Sequence, residues 1–435
     1  MSASNPRAAA HRALVRAARS GKYLNLELDS ALSHLSLSPA DRTLFTSLVY
    51  GTCERTLTLD NEIEYLTGRG ADFLDTETKI ALRLGLYQII FMDKIPPHAA
   101  VNETVATAPA RSRGLVNACL RRFIREGSAL HLPNEGSPEY LSILHSIPVP
   151  IVTSWIDDYG VDAASLCESA NRKPPLTLRV NTLRITPDEL LSRLRDSGAA
   201  AESNRICTDM IDATGASVTE LYGYDEGLWF VQDAASRLAV KASGAKPCDI
   251  VVDTCSAPGG KSFSAALDME NRGAIYSFDL HENKLGLIRR GADRLGIDII
   301  TASARDGNTP DEDLFGRADV TICDAPCSGL GVIAKKPDIR YKDPETFVRL
   351  PEIQRSLLSA AARYVRPGGV LLYSTCTLRR AENDEVARDF LEHDPEFTAD
   401  PFTVFGVDAP DGTLTLMPHK HGTDGFYIAK FRRKP

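Results

Sequence analysis

Two turns of this chain hold cysteines in positions where chemistry is to be expected. Cys327 lies in "DAPCSGLG" (324–331), straight after the apolar run "ADVTIC" (318–323), and Cys376 lies in "YSTCTL" (373–378). A packing cysteine belongs deeper, on the strand itself, as Cys323 does. A thiolate is intrinsically nucleophilic and partly formed near neutrality. Added to carbon 6 of a pyrimidine, it makes the base enamine-like, and carbon 5 can then attack a methylsulfonium. Asp324 can hydrogen-bond N3 and the exocyclic amine of a cytosine, which favours that base over uracil. The base must first be unstacked to enter a pocket. An amino-group methyltransferase would instead place an Asp/Asn-Pro-Pro-Tyr/Phe clamp at this point.

A second turn, "DTCSAPGGKS" (253–262), reads as a ligand loop. Gly259 and Gly260 let the backbone approach a ligand, and a helix N-terminus follows. The ending suggests a phosphate-binding loop, but that motif needs a glycine where Cys255 stands. The G-x-G-x-x-G of dinucleotide folds is missing too. Asp279 ends the next strand, nineteen residues after Gly260, where an acid accepts from a ribose diol. Asp306, after the third strand, is placed for an adenine edge. A glycine turn and a ribose acid without a phosphate grip point to S-adenosyl-L-methionine as cofactor. Cys255 is expected to meet it through its backbone.

These turns need a scaffold, and from about residue 245 the sequence supplies one. "DIVVDT", "AIYSFDL", "DIITASARD", "ADVTICDAP" and "GVLLYSTCT" read as strands. Helical stretches such as "KSFSAALDM", "ENKLGLIRRGADRLG" and "PEIQRSLLSAAARYV" separate them. This alternation predicts a mostly parallel, Rossmann-like α/β sheet with ligands at the carboxyl ends of its strands. Cys327 and Cys376 should then emerge from adjacent strand ends. Residues 1–130 read as all-helical, for example "DTETKIALRLGLYQIIFM" (75–92), which is ended by "DKIPP". The proline-rich "LPNEGSPEYLSILHSIPVP" (132–150) marks a boundary. The expected domains are 1–130 helical, 131–165 linker and connector, 166–240 a small α/β unit, and 241–435 the large α/β unit.

With 435 residues, 43 % of them hydrophobic and 25 % charged, the chain is long enough for several globular cores. No apolar run reaches the roughly eighteen residues of a membrane span. The N-terminus lacks the continuous apolar stretch of a secretory signal. A soluble, cytoplasmic monomer is expected. The nine cysteines contain no C-x-x-C pair, so neither a disulfide framework nor a structural zinc site is expected. His419 and His421 lack an acid or cysteine to complete a metal site and read as loop. The net charge of −8 speaks against nucleic acid, but it is an average. Residues 1–130 carry 16 Lys+Arg and 13 Asp+Glu, a net of +3, which leaves −11 for the rest. "RSRGLVNACLRRFIR" (111–125) has five arginines and no acid, and is either a solvated helix face or a phosphate-facing surface. Asn181 and Arg184 in "RVNTLR" either touch RNA or solvate a strand edge.

"DTCSAPGGKS", "SFD", "DAPCSGLG" and "YSTCTL…ENDEV", continuing to "DGFYIAKF" (424–431), together resemble the Nop/Sun family of RNA cytosine-5 methyltransferases. Residues 1–130 resemble a NusB-type RNA-binding domain through "LRLGLYQIIFMDKIPPHAAVNETV" and "VNACLRR". That pairing is similar to the bacterial subgroup acting on small-subunit (16S) ribosomal RNA. The resemblance implies that Cys376 attacks carbon 6 and that Cys327 assists release of the methylated RNA. It places cofactor contacts on Cys255, Ser256, Ala257, Pro258, Gly259, Gly260, Lys261, Asp279, Asp306 and Asp324. Ser256 and Ser262 replace residues common in the family, alanine and threonine, and both are small enough for the turn. Lys336 stands where arginine is common, a change that bears on phosphate contacts. A non-catalytic RNA-binding assembly or antitermination factor is the alternative from another class, and the cysteine pair weighs against it. A thiol redox protein is remote. The same chemistry on transfer RNA or large-subunit RNA differs only in substrate.

Overall fold

A computed structural model describes residues 5–20, 37–214 and 218–435. The chain divides into two compact units, one of residues 1–172 with 336–342, the other of 173–335 with 343–435. The first is helical throughout its described residues. Pro39–Glu54 and Thr76–Phe91 start where the sequence places caps, because Ser38 and Asp75 accept backbone N–H groups from Asp41 and Thr78. The predicted helix over 75–92 is therefore observed. Phe45, Leu48, Ile80 and Leu84 close over Ala10 and Ala13 of Pro6–Ser20. Leu59, Ile63, Leu86, Leu120 and Phe123 form a second cluster. Within the proline-rich segment the structure forms the helix Pro138–His145, and Val149–Tyr159 and Asp162–Ser169 follow. Residues 336–342 belong to this unit. Their fully buried Arg340 donates to the carbonyls of Glu54, Ser146 and Ala170 at 3.1–3.2 Å.

The second unit holds three sheets, the smallest being the hairpin of β11 (Phe402–Val404) and β12 (Val407–Ala409). A small antiparallel one has the order β2-β3-β1-β4, from β1 (Leu176–Val180), β2 (Ala200–Ser203), β3 (Met210–Thr214) and β4 (Trp229–Val231). The larger sheet has a parallel centre in the order β9-β8-β5-β6-β7. Its strands are β5 (Ile250–Asp253), β6 (Ala274–Asp279), β7 (Ile300–Ala304), β8 (Ala318–Asp324) and β9 (Val365–Thr375). This is the mostly parallel sheet the alternation predicts. Late strands modify its edge: β13 (Thr413–Leu416) and β10 (Phe397–Ala399) both pair with β14 (Phe426–Arg433), which lies antiparallel against β9. Strand β9 begins earlier than its apolar run, and "RPGG" is absorbed as an irregularity in its pairing with β8.

A buried ionic network joins the small sheet to the large unit's first helices. Arg179 of β1 and Arg237 of the helix Ala234–Ser243 are both 1 % exposed. Arg237 donates to Asp209 at 2.8 Å and to Asp268 at 2.7 Å, and Arg179 lies 3.2 Å from Asp209. Asn181 follows β1 fully buried, its amide donating to the carbonyls of Gly227 and Leu295 at 2.8 Å. It neither faces solvent nor is available to RNA, contrary to both sequence readings. Arg184 is exposed and donates to the carbonyls of Glu226 and Arg294.

Candidate active site

Strands β8 and β9 pair in parallel up to Asp324 and Ser374, so the turns after them leave side by side. They bring Cys327 and Cys376 within 3.3 Å, sulfur to sulfur, each half-buried. The packing that fixes this is specific. Glu382, fully buried, accepts from the backbone N–H of Ser328 at 2.9 Å and from Gln354 and Arg379 at 3.0 Å. Asn383 clasps the second turn by accepting from Thr375 and donating to the Thr377 carbonyl. Ser328 and Thr377 hydroxyls meet at 2.7 Å. Gly331 donates its N–H to the Cys376 carbonyl at 3.0 Å, and a Cβ there would stand 1.9 Å from the Gly425 carbonyl oxygen, so only glycine fits.

The pair is electrostatically unequal. A hydrogen bond from Cys327 draws the Cys376 thiol below its usual range; burial and the carboxylates of Asp324 and Asp424 oppose this, and Lys261 assists. The same hydrogen bond, with burial, raises Cys327 well above the thiol range. Burial pushes Cys53, Cys167, Cys207 and Cys323 up to about 12. Cys376 is thus the thiol of this group suited to ionise. Asp324 is held by both neighbours, accepting from Lys261 at 2.6 Å and Ser374 at 2.8 Å. The Lys261 ammonium also lies 5.2 Å from the centre of the Phe426 ring.

Next to this cluster is a cavity of about 160 Å³, lined by Val231, Gln232, Asp233, Ser236, Asp253, Cys255, Ser256, Ala257, Pro258, Gly260, Lys261 and Asp324. It gathers most of the predicted cofactor residues. Gly259 adopts φ +111°, and a Cβ there would lie 2.4 Å from the Phe263 ring, which explains the first glycine of the turn. The nine-residue helix Gly260–Asp268 begins at the cavity. Among the described residues, two buried acceptors in its wall have no donor: Asp253 Oδ1 and Gln232 Oε1. Their partner atoms are occupied, Asp253 Oδ2 by Ser262 at 2.7 Å and Gln232 Nε2 by the Gly260 carbonyl at 3.0 Å. Burial pushes the Asp253 carboxyl up to about 7. Orphaned acceptors suit a ligand that brings N–H groups, as the ammonium and adenine of S-adenosyl-L-methionine do.

The remaining expected residues lie around this core. Asp279, largely buried at the end of β6, accepts from the N–H of Ala257 at 3.2 Å and of His281 at 3.0 Å, so it braces the turn. Asp306 is exposed on the turn after β7, accepting from the Asn308 N–H at 2.9 Å, and does not line the cavity. His419 and His421 lie on a short helix, Pro418–His421, where a loop was expected. Among the described residues, no group of three or more metal-ligating side chains is found. Also among them, no helix is long and apolar enough to cross a membrane. The sequence reading passed over Gln232, Asp233, Asp253, Lys335, Glu382 and Asp424. Asp253, Glu382 and Asp424 open quoted motifs, and Asp233 directly before a helix is a capping signal, so four of these left a trace. Lys335, not the neighbouring Lys336, makes the ion pairs here: 2.5 Å to Asp233 and 2.8 Å to Asp424.

Comparison with known proteins identifies the family of the chain. Residues 243–432 match the family model described as "16S rRNA methyltransferase RsmB/F" and residues 4–125 the "NusB family". Residues 148–217 match "Methyltr_RsmF/B-like, ferredoxin-like domain". A Bacillus subtilis (strain 168) protein, "Probable ribosomal RNA small subunit methyltransferase B", is 36 % identical over 97 % of both chains. The Pseudomonas putida "Ribosomal RNA small subunit methyltransferase B" is 34 % identical over 98 % of both. Among solved structures, "PH0851" superposes with TM-score 0.81 at 26 % identity, covering 98 % of this chain and 99 % of the other. A "Methyltransferase Homolog Protein from Pyrococcus Horikoshii" does so with TM-score 0.61 at 27 % identity, covering 69 % of this chain and 100 % of the other. Sharing 36 % of its residues with a relative along nearly its whole length, the chain belongs to the ribosomal RNA small subunit methyltransferase B family, whose methyl donor is S-adenosyl-L-methionine.

Proposed function

We propose that this protein methylates carbon 5 of a cytosine in small-subunit ribosomal RNA, with a transient covalent bond between Cys376 and carbon 6. The observation that carries this reading is the sulfur pair, 3.3 Å apart on adjacent strand-end turns, in which the hydrogen bond from Cys327 favours the Cys376 thiolate. When bound, S-adenosyl-L-methionine supplies an electrophilic methyl group to carbon 5. Gln232, Asp253 and the 255–261 turn would hold it, since they line the cavity. The Cys376 thiolate adds to carbon 6, and the electron pair displaced from the ring double bond makes carbon 5 the nucleophile. Asp324, fixed by Lys261 and Ser374, accepts from the exocyclic amine and from N3–H; the proton that N3 takes up from solvent during the addition is returned to solvent before release. Once Cys376 is bonded to carbon 6, the thiolate that held the Cys327 proton is gone and that proton is lost to solvent. The Cys327 thiolate then takes the proton from methylated carbon 5, the C5–H electrons re-form the ring double bond, and the carbon 6–sulfur bond breaks to release Cys376 as thiolate.

Support for ribosomal RNA as substrate comes from the names of the relatives, and support for the chemistry from the two turns. The test is methyl transfer to unmodified small-subunit RNA, with bisulfite sequencing to locate 5-methylcytosine. Transfer RNA and large-subunit RNA run in parallel. Protection at discrete small-subunit cytosines, abolished in Cys376→Ala, is the expected result. Methyl groups on an exocyclic amine or a ribose, or unimpaired transfer by Cys376→Ala, would contradict it.

A further inference from the structure

Three segments of the second unit, far apart in sequence, converge on one ammonium group. Lys335 ends the stretch that starts at the Cys327 turn, and its Nζ lies 2.5 Å from Asp233 Oδ2 and 2.8 Å from Asp424 Oδ2. Asp233 lines the cofactor cavity and caps the helix Ala234–Ser243 through the Ala235 N–H at 2.9 Å. It also accepts the backbone N–H of Asp424 at 3.1 Å. Asp424 precedes Gly425, whose N–H donates to the Gly331 carbonyl at 2.9 Å, and Gly331 in turn donates to the Cys376 carbonyl. One side of this lacing is the cavity wall that would hold the methyl donor; the other is the pair of turns that would receive the base.

The three charged side chains are well sheltered, Lys335 being 30 %, Asp233 16 % and Asp424 11 % exposed. Burial opposes the Lys335 charge, but the two carboxylates overcome this and raise it above the usual lysine range. Burial and Asp233 push the Asp424 carboxyl up to about 7, the sign of two acids crowded around one cation. A shift of the donor wall therefore pulls Lys335, and through it the cysteine turns, because separating any of the three leaves a sheltered charge unpaired.

Resting on the functional reading above, we propose that Lys335 is a positioning residue that couples methyl-donor binding to RNA binding by tying the cavity wall at Asp233 to the base-side turns at Asp424 and Gly331. It touches neither ligand. Its signature is a coupling between two affinities, which a merely structural lysine would not set, since loss of structure weakens both affinities and leaves their ratio unchanged.

The test is calorimetry on the full chain. The affinity for S-adenosylhomocysteine is measured with and without an unmodified small-subunit RNA transcript, in the unmutated protein, Lys335→Met and Lys335→Arg. In the unmutated protein RNA is expected to tighten the cofactor product by about five-fold or more. In Lys335→Met the ratio should fall below about two-fold, and in Lys335→Arg, which keeps the charge and adds donors, it should largely return. If Lys335→Met does not fold, Asp424→Asn cuts one arm and carries the same expectation. No coupling in the unmutated protein, or undiminished coupling in Lys335→Met, overturns the proposal. If the unmutated protein methylates RNA but shows no coupling, this proposal alone fails. If it methylates no RNA, the functional reading fails as well.

Discussion

Which of two sulfurs 3.3 Å apart carries negative charge decides what this site can do. The hydrogen bond from Cys327 is the largest influence drawing the Cys376 thiol down, so its removal must let burial raise that thiol. In Cys327→Ala the midpoint of the pH profile for iodoacetamide modification of Cys376, followed by peptide mass spectrometry, should move upward. At pH 7 the modification rate should fall, since a raised thiol leaves less thiolate to react. An unchanged midpoint would mean that Lys261, not Cys327, sets the acidity. Both cysteines, with Lys261 and Asp324, could be singled out in the sequence because each lies in or beside a short turn that follows an apolar run. Lys335 was not: its partners lie 102 and 89 residues away, and an ion pair between distant segments leaves no local pattern. Asn181 shows the same limit, since its polar side chain is buried by carbonyls 46 and 114 residues distant.

The strands and helices around these turns were the readily legible level. Apolar runs that end in turn residues and alternate with amphipathic stretches admit few arrangements, and the parallel centre of the sheet follows from them. The antiparallel hairpin of β13 and β14 was harder to see, because edge pairing is decided by partners rather than by periodicity. Likewise the proline-rich 132–150 segment contains the helix Pro138–His145, whose first turn accommodates the proline at its start. The junction of β1 with the helices Ala234–Ser243 and Gly260–Asp268 depends on Arg237, which holds Asp209 and Asp268. Arg237→Met would leave those two acids sheltered with Arg179 as their remaining cation. This should destabilise the second unit by about 3–5 kcal/mol, read as a shift of its chemical denaturation midpoint. A loss below about 1 kcal/mol would show that the network relaxes or admits water.

On the scale of the whole molecule, the charge is divided unevenly along the chain: +3 in residues 1–130 against −8 overall. The structure narrows the arginine-rich helix as a phosphate surface. Arg111 pairs with Asp75, Arg122 with Glu126, and Arg113 donates to the Ala108 carbonyl; Arg121 donates to the neutral Asn117 side chain, and it and Arg125 are exposed. Reversing charge at Arg121 and Arg125 should weaken RNA binding and flatten its dependence on salt, with about one unit of slope lost per phosphate contact removed. Unchanged affinity and slope would make that face solvated surface. The division of labour between the two sulfurs is tested most directly by incubating Cys327→Ala and Cys376→Ala with S-adenosyl-L-methionine and unmodified small-subunit RNA, then running a denaturing gel. A covalent protein–RNA species should accumulate with Cys327→Ala and be absent with Cys376→Ala. An adduct with Cys376→Ala and none with Cys327→Ala would contradict the assignment and exchange the two roles.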